Sequence, residues 1–305
     1  MSHSLANDHI PSAQDMGPDA GLIAGVPAGA NNWLDLALES FERDGYCLFR
    51  NAVDPALCDE VVADYNRFLT DNADVAADHV DQLGRHLRLV NFHLASDAAI
   101  RMGATTRPLA FLDAAFGARA GIYSSLFFEY STEQIVHRDS PFFETIPRNL
   151  YAGMWFALED IDPRSGPLFV HAGGQLIDCE PDAATAEARQ RFPDLEGDAL
   201  VGAALDIYYR NIHDAANARA APTQLPIRKG DAVVWHALAP HGGAPAVDRS
   251  LTRRSMVFHC TPEDVQVYQQ SVFFLHDGKP LPPRYGYMTS HGRQVARSGG
   301  TAFQR

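Results

Sequence analysis

Apolar side chains recur at two different spacings along the chain, and the change of spacing divides it into two parts. In the first part they return every three or four residues, as in the run from Trp33 to Phe41, which is typical of amphipathic helices. Gly45 ends one helix and Pro55 begins the next, because glycine favours helix C-termini and proline favours the first helical turn. The pattern predicts helices over 33–44, 54–68 and 106–118 and a short strand over 46–50.

From residue 122 onward, apolar residues lie in short runs that Gly, Pro and Asp turns separate. Regularly spaced short strands with turn signals are typical of a β-sandwich or barrel. The predicted strands cover 122–130, 151–158, 167–171, 232–236 and 254–260. The expected fold class is therefore mainly β (α+β), with helices packed outside a β core.

Three segments depart from these patterns. Residues 1–32 are rich in Ser, Asp, Ala, Gly and Pro and are predicted to form a disordered leader. Residues 173–228 interrupt the strands with Ala-, Asp- and Arg-rich helical stretches, so we expect a lid-like insertion within a single domain that spans 33–305. The tail from residue 279 is rich in Pro, Gly and Arg and is expected to lie across the surface.

Charge and composition narrow the function. The chain has 305 residues, and its 38 acidic and 25 basic side chains give a net charge of −13, which argues against nucleic acid or an anionic membrane as the main partner. We expect a small-molecule partner, and a homo-oligomer is left open. The N-terminus lacks a basic flank before an apolar core, so a cytoplasmic location is expected. The four cysteines have no CxxC spacing and are interpreted as reduced structural thiols.

A histidine and an aspartate two residues apart, His137 and Asp139, form the first candidate for chemistry. A strand directs alternate side chains to one face, so both can reach the same metal ion. His241 follows the apolar strand at 232–236 and supplies a third ligand. Two imidazoles and one carboxylate on one side of a metal suit a non-haem Fe(II) oxygenase. His236 is a competing ligand, but it lies inside the strand and is interpreted as a packed histidine.

Arg253 begins the strand after the distal histidine. A guanidinium binds a carboxylate through two parallel hydrogen bonds, and Ser255, on the same face, can add a third. An arginine in this position is what a 2-oxoglutarate site needs for the far carboxylate of the cosubstrate. Arg254 alternates to the opposite face and is expected to be exposed or paired.

Four segments in this order resemble the phytanoyl-CoA dioxygenase family of Fe(II)/2-oxoglutarate oxygenases over roughly residues 40–262. The segments are FERDGY at 41–46, IVHRD at 135–139, ALEDIDPRSGPL at 157–168 and GDAVVWHALAPHG at 230–242. The resemblance implies a double-stranded β-helix (jelly-roll, cupin-like) core with flanking α-helices. It also implies Fe(II) at His137, Asp139 and His241, 2-oxoglutarate at Arg253 and Ser255, and O2 as co-reactant.

Further residues are candidates for the walls of the site. Gln134 and Trp155 are predicted to contact the cosubstrate, and Phe128, Tyr130 and Tyr151 the substrate, although ordinary core packing explains aromatic residues equally well. A basic segment upstream of the β core is predicted to contact an anionic group of the substrate, against the alternative of a solvated loop. Its candidate residues are Arg85, Arg88 and His93.

The leading hypothesis is a 2-oxoglutarate-dependent dioxygenase that hydroxylates a small metabolite, as in secondary metabolism, and releases succinate and CO2. An intact Asp139 favours hydrogen abstraction over halogenation, because related halogenases have a small residue at this position. One alternative is a cupin-like metal isomerase, or a dioxygenase without 2-oxoglutarate, for which Arg253 would be dispensable. Another is a binding protein without turnover.

Overall fold

The computed structural model describes residues 32–279, 281–282, 285–297 and 299–304, so the predicted leader lies outside the described residues except for Asn32. The helices are α1 (Trp33–Asp44), α2 (Pro55–Asp71), α3 (Ala73–Asp78), α4 (Asp97–Ala104), α5 (Arg107–Phe116), α6 (Pro181–Arg191), α7 (Gly197–Arg219) and α8 (Gln270–Leu275). The strands are β1 (Tyr46–Phe49), β2 (Arg88–Val90), β3 (Ala120–Phe128), β4 (Glu144–Thr145), β5 (Ala152–Ala157), β6 (Leu168–Val170), β7 (Thr223–Gln224), β8 (Ala232–His236), β9 (His241–Gly243), β10 (Ser255–Pro262), β11 (Val267–Tyr268), β12 (Tyr287–Ser290), β13 (Arg293–Ala296) and β14 (Ala302–Gln304).

One large sheet and two small ones form the β core. The large sheet runs in the order β1-β8-β5-β10-β3, and beyond β3 it continues into β13-β12 and, separately, into β2-β14. The small sheets are β7-β6-β9 and β4-β11. Strand β6 packs on the inner face of the large sheet, where Leu168 and Val170 meet Trp155, Val233 and Val257. The result is a jelly-roll core with flanking helices, which confirms the predicted fold class.

The two faces of the large sheet bury different partners, as the period-two alternation of strands requires. On β10, Met256 and Phe258 point outward into a core shared with helices α1, α2, α4 and α5. The alternate residues Val257 and His259 point inward and line a cavity. The sheet therefore separates a helix-covered core from the interior of the jelly roll.

The helix boundaries follow the local signals in the sequence. Gly45 ends α1 in the left-handed region, at φ 79°, where its amide donates to the carbonyl of Phe41. Asp54 caps α2 by accepting a hydrogen bond from the amide of Ala56, and Pro55 occupies the first turn. The three predicted helices are present in the structure.

The segment at 173–228 contains α6 and α7 and lies in the chain between β6 and β8. Its apolar side chains are buried together with Phe273 and Phe274 of α8, and this cluster also includes Val136 and Phe169 of the β core. The segment thus packs against the part of the core that precedes His137. Its role as a lid stays a prediction.

The expectation that the C-terminal tail lies across the surface is wrong. Strands β12 to β14 extend the large sheet, and Val295 is buried opposite Ile122 of β3. Arg293 is buried as well, because its guanidinium forms two hydrogen bonds, of 2.6 and 2.7 Å, to the carboxylate of Asp113. A composition rich in Arg and Gly indicated a surface segment, but the charge of Arg293 is neutralised inside the fold.

The four cysteines form no disulfide, and Cys47, Cys58 and Cys260 are buried. Burial raises the pKa of the Cys47 thiol to about 12 and that of Cys58 to about 11, so both are poor nucleophiles. In the part of the chain that the structure describes, no helix has both the length and the apolar character to cross a bilayer.

Candidate metal centre and its cavity

His137 and His241 face each other across an isolated antiparallel bridge with two backbone hydrogen bonds of 3.0 Å. The Nδ1 atom of His137 lies 2.8 Å from the carbonyl oxygen of Ile135, and that of His241 lies 3.0 Å from the carbonyl oxygen of Ala239. An Nδ1–H that donates to a backbone carbonyl fixes the tautomer and leaves Nε2 as the metal-binding atom. Both rings therefore present the same nitrogen to one point.

Asp139 completes the group. Its Oδ1 lies 3.5 Å from Nε2 of His137, and its Oδ2 lies 3.6 Å from Nε2 of His241. The three side chains are buried, and their ligand atoms all lie within 4.8 Å of one another. Burial lowers the pKa of His241 to about 4, so this imidazole is neutral at pH 7. Burial also opposes ionisation of Asp139, but His241 and His137 outweigh it and lower the pKa of the carboxyl below its usual range. Asp139 and His241 are thus deprotonated, as a metal requires.

Two neighbouring side chains hold the Asp139 carboxylate. The Tyr151 hydroxyl donates to Oδ2 at 2.7 Å, and the Trp235 indole Nε1–H donates to the same oxygen at 3.0 Å. Tyr151 was predicted to contact substrate, but it is buried behind the aspartate and does not line the cavity. The contact of Trp235 could not be predicted from the sequence, since a tryptophan inside a strand is most simply explained as core.

Arg138, between two of the metal ligands, is buried and fastens the helical insertion to the site. Its guanidinium donates to the carbonyl oxygens of Gly174 and Ile177, at 3.1 and 2.8 Å, and to the hydroxyl of Tyr208 at 3.4 Å. Tyr209 donates in turn to the backbone carbonyl of Arg138 at 3.1 Å. Arg138 therefore ties the segment that carries His137 and Asp139 to α7, a connection that sequence reasoning missed.

A cavity of about 400 Å³ opens beside the triad. The predicted site residues that line it are Arg88, Phe128, Gln134, His137, Asp139, Trp155, His241 and Arg253. The residues predicted for the site that do not line it are Arg85, His93, Tyr130, Tyr151 and Ser255. The metal ligands and the arginine proposed for 2-oxoglutarate thus share one cavity.

The Arg253 guanidinium is a buried cation without a counter-ion. Its side chain is 4% exposed, and it lies 5.6 Å from the ring centroid of Phe128. Among the described residues no carboxylate pairs with Arg253, and its Nε has no hydrogen-bond partner. Burial lowers its pKa to about 10, so the charge persists at neutral pH. The hydroxyl of Ser255, on the same strand face, is buried and also lacks a partner. Buried polar groups are normally satisfied, so this pair points to an anionic ligand.

Arg254 has the opposite environment. It turns away from the cavity and forms ion pairs with Glu129 and Glu159, at 3.4 and 3.5 Å. The two adjacent arginines that precede β10 thus differ, because among the described residues only Arg254 pairs with a carboxylate.

The predictions for His93 and Tyr130 as substrate contacts are wrong. His93 lies in a 3-10 turn behind β3, where its Nδ1 is 2.7 Å from Oγ of Ser125. Tyr130 lies under the guanidinium of Arg85, at 5.2 Å, and Arg85 is itself bound to Asp81. Both side chains therefore make their contacts outside the cavity.

His236 is not part of the metal group. Its ring packs edge-on against Phe41 at 5.8 Å, and its Nδ1 accepts a hydrogen bond from the amide of Leu238 at 3.1 Å. His259 is a cavity-lining histidine that sequence reasoning missed. The period-two series from Arg253 through Ser255 and Val257 to His259 was the signal that could have found it.

Several solved structures share this fold. The carbocyclase SnoK from nogalamycin biosynthesis, described as non-haem and α-ketoglutarate dependent, has a TM-score of 0.59 and 14% identity over 82% of this chain and 93% of its own. The epimerase SnoN, solved with Fe³⁺, α-ketoglutarate and nogalamycin RO, has a TM-score of 0.59 and 18% identity over 86% and 98%. EctD from S. alaskensis, solved with 2-oxoglutarate and 5-hydroxyectoine, has a TM-score of 0.55 and 15% identity over 80% and 84%.

At these identities the structural matches establish the fold. No curated protein sequence matches the chain significantly. Residues 41–255, more than half of the chain, match the family model described as phytanoyl-CoA dioxygenase. This range includes every member of the His137, Asp139 and His241 group and also Arg253. The chain therefore belongs to the phytanoyl-CoA dioxygenase family of Fe(II)/2-oxoglutarate-dependent oxygenases.

Proposed function

We propose that this protein hydroxylates a small-molecule metabolite, with Fe(II) held by His137, Asp139 and His241 and 2-oxoglutarate held by Arg253. The observation that carries the proposal is the buried, unpaired guanidinium of Arg253 in the cavity of the metal ligands. A cupin-like isomerase, or a dioxygenase without 2-oxoglutarate, gives no reason to bury a cation without a counter-ion beside the metal site.

The donor set supports this assignment. Two imidazoles and one carboxylate leave positions open for a chelating cosubstrate and for O2. The far carboxylate of 2-oxoglutarate would neutralise Arg253 and accept a hydrogen bond from Ser255. Gln134 and Trp155 line the same cavity and are proposed as neighbours of the cosubstrate.

The chemistry that the bound metal and cosubstrate supply is oxidation of a substrate C–H bond by O2, with conversion of 2-oxoglutarate to succinate and CO2. The protein contributes orientation and exclusion of water. Tyr151 and Trp235 hold the Asp139 carboxylate in one position, and the backbone carbonyls at Ile135 and Ala239 hold the histidine rings. Burial of the triad keeps bulk water away from the reacting atoms.

Hydroxylation is proposed over halogenation because Asp139 is intact and supplies the carboxylate that related halogenases replace with a small residue. Members of this fold include a carbocyclase and an epimerase, so the reaction outcome has to be determined from the product. Product mass separates the outcomes: hydroxylation adds one oxygen, ring closure or desaturation removes two hydrogens, and epimerisation leaves the mass unchanged.

The test is succinate formation by anaerobically Fe(II)-loaded protein after addition of 2-oxoglutarate and O2, across a panel of small metabolites, with Arg253→Ala as the control. We expect at least one compound to stimulate succinate formation, with a product heavier by one oxygen, and the variant to lose this stimulation. Metal-dependent turnover that ignores 2-oxoglutarate, and that Arg253→Ala leaves intact, would favour the isomerase alternative.

A further inference from the structure

Two adjacent serines of β3 each hold a histidine, one on either side of the large sheet. Ser125 points outward, and its Oγ lies 2.7 Å from Nδ1 of His93. Ser124 points inward, and its Oγ lies 2.6 Å from Nδ1 of His259. His93 is enclosed by the protein, whereas His259 lines the cavity. The same pairing thus occurs once in the outer core and once at the candidate active site.

The backbone is irregular at the inward pair. Strands β10 and β3 pair regularly from Ser255 to His259, and their register then shifts between His259 and Cys260. A β-bulge re-aims a side chain relative to a regular strand, and bulges are frequent beside active sites. The pairing passes from Ser124 directly to Ile122 on β3, so the extra residue is Tyr123, and the bulge lies beside the Ser124–His259 pair.

The ring of His259 is held on two sides and open on one. Ser124 binds its Nδ1, and the ring of Phe143 lies 4.2 Å away between centroids, tilted by 33°. Its Nε2 has no hydrogen-bond partner among the described residues. A histidine that is fixed in place and has one unused polar atom facing a cavity is equipped to bind a polar group of a ligand.

The surroundings define the kind of ligand. Aromatic side chains line the cavity beside this histidine: Phe143 lies against its ring, Tyr123 packs against Phe143, and Tyr285 packs against Tyr123. Burial lowers the pKa of His259 to about 4, so the imidazole is neutral at pH 7 and offers a hydrogen bond without a charge. An aromatic wall beside a fixed, neutral polar group is complementary to a ring that carries a hydroxyl or keto oxygen, and Arg88 adds a cation to the lining of the same cavity.

We propose that His259, positioned by Ser124, hydrogen-bonds a hydroxyl or keto group of a ring-bearing substrate and so orients it beside the metal. This inference rests on the proposed oxygenase function, because it assigns the substrate end of the same cavity. It makes His259 a specificity-determining residue and Ser124 its positioning residue.

The test compares phenol with toluene, which have the same ring but differ in the hydroxyl group. Binding of each to anaerobic protein loaded with Fe(II) and 2-oxoglutarate is measured by ligand-observed NMR. We expect phenol to bind more tightly by about three- to tenfold, the worth of one hydrogen bond. His259→Phe keeps a ring against Phe143 and should abolish the preference, while His259→Gln, which retains a polar atom, should restore part of it.

Two further variants separate a positioning role from a structural one. Ser124→Ala should reduce the preference for phenol while toluene binds as before. His93→Phe removes the matched outward histidine and should leave the preference unchanged. A preference that survives in His259→Phe, or equal binding of the two probes to the wild-type protein, would overturn the inference, as would failure of both to bind. Absence of 2-oxoglutarate binding would instead count against the proposed function, and the two probes can then still be compared on protein loaded with metal alone.

Discussion

The two ends of the cavity differ in how the protein treats its polar groups. At the metal end, every ligand has a partner: backbone carbonyls for the Nδ1 atoms of His137 and His241, and Tyr151 and Trp235 for Asp139. At the other end, Arg253 is equally buried and has no anion among the described residues. The protein orients the groups proposed to bind a metal, and among the described residues it leaves without a counter-ion the group proposed to bind a small anion. An unsatisfied buried charge therefore locates a ligand as clearly as a cluster of donors does.

The largest effect is expected from removing one of the three side chains proposed to bind the metal. His241→Ala removes one of three ligands and should weaken metal binding by more than about 100-fold, beyond the effect of losing an outer partner. Anaerobic calorimetric titration with Fe(II) measures this. His236→Ala is the matched control and should bind the metal normally, because its ring packs against Phe41. Normal Fe(II) binding in His241→Ala together with weakened binding in His236→Ala would instead identify His236 as the metal ligand.

The second-largest effect is expected at Arg253, at the opposite end of the cavity from the metal. Arg253→Met should weaken 2-oxoglutarate binding by about 100-fold, since the carboxylate loses a buried charged partner. The same change should raise the free energy of unfolding of the ligand-free protein by about 1–3 kcal/mol, because an unpaired buried cation is removed. Urea unfolding measures the second quantity.

Arg254→Met is the control for both measurements. It breaks the ion pairs to Glu129 and Glu159 and should lower stability by about 1 kcal/mol while 2-oxoglutarate binds as before. If the two variants lowered stability equally, the contrast between the adjacent arginines would fail.

Smaller effects are expected from the partners of Asp139. Tyr151→Phe and Trp235→Phe each remove one hydrogen bond to Oδ2 and should weaken Fe(II) binding by about tenfold. Affinity for 2-oxoglutarate at saturating iron should change little, because Arg253 is untouched. Unchanged Fe(II) affinity in both variants would mean that these bonds do not orient the ligand.

The smallest effect concerns pH. Burial lowers the pKa of His93 and His236 from 6.5 to about 4, so between these values the unfolded chain binds more protons than the folded one. Stability is therefore full above pH 6.5 and is lost as the pH falls toward 4. His93→Phe removes one of these two titrating histidines. It should reduce the slope of the free energy of unfolding against pH by up to about 1.4 kcal/mol per pH unit. Urea unfolding at several pH values tests this, and an unchanged slope would contradict it.

Period-two alternation made much of the fold and site predictable from the sequence. It placed the main strands, grouped His137 with Asp139, and separated Arg253 from Arg254. Local signals at helix ends, such as Gly45, likewise made the helix boundaries predictable. These features depend on residues close together in the chain.

The features that the sequence did not reveal depend on tertiary contacts or on a break in the alternation. The 3-10 turn at Phe92–Leu94 carries His93 behind β3, although Arg88, a few residues earlier, lines the cavity. Arg293 looks like a surface residue until Asp113 is found beside it. The partners of Asp139 come from distant parts of the chain: Trp235 lies in β8, and Tyr151 is the residue before β5. The residues around each of them in the sequence do not indicate this contact.

The central claim is that one cavity holds Fe(II) at the triad and 2-oxoglutarate at Arg253. Anaerobic titration of Fe(II)-loaded protein with 2-oxoglutarate, followed by the visible charge-transfer absorption of the chelate, tests it most directly. We expect saturation at one equivalent in the wild-type protein, and a strongly weakened response in Arg253→Met that still retains its iron. Iron-loaded protein that shows no response to 2-oxoglutarate, or an Arg253→Met variant that binds it as tightly as wild type, would contradict the account.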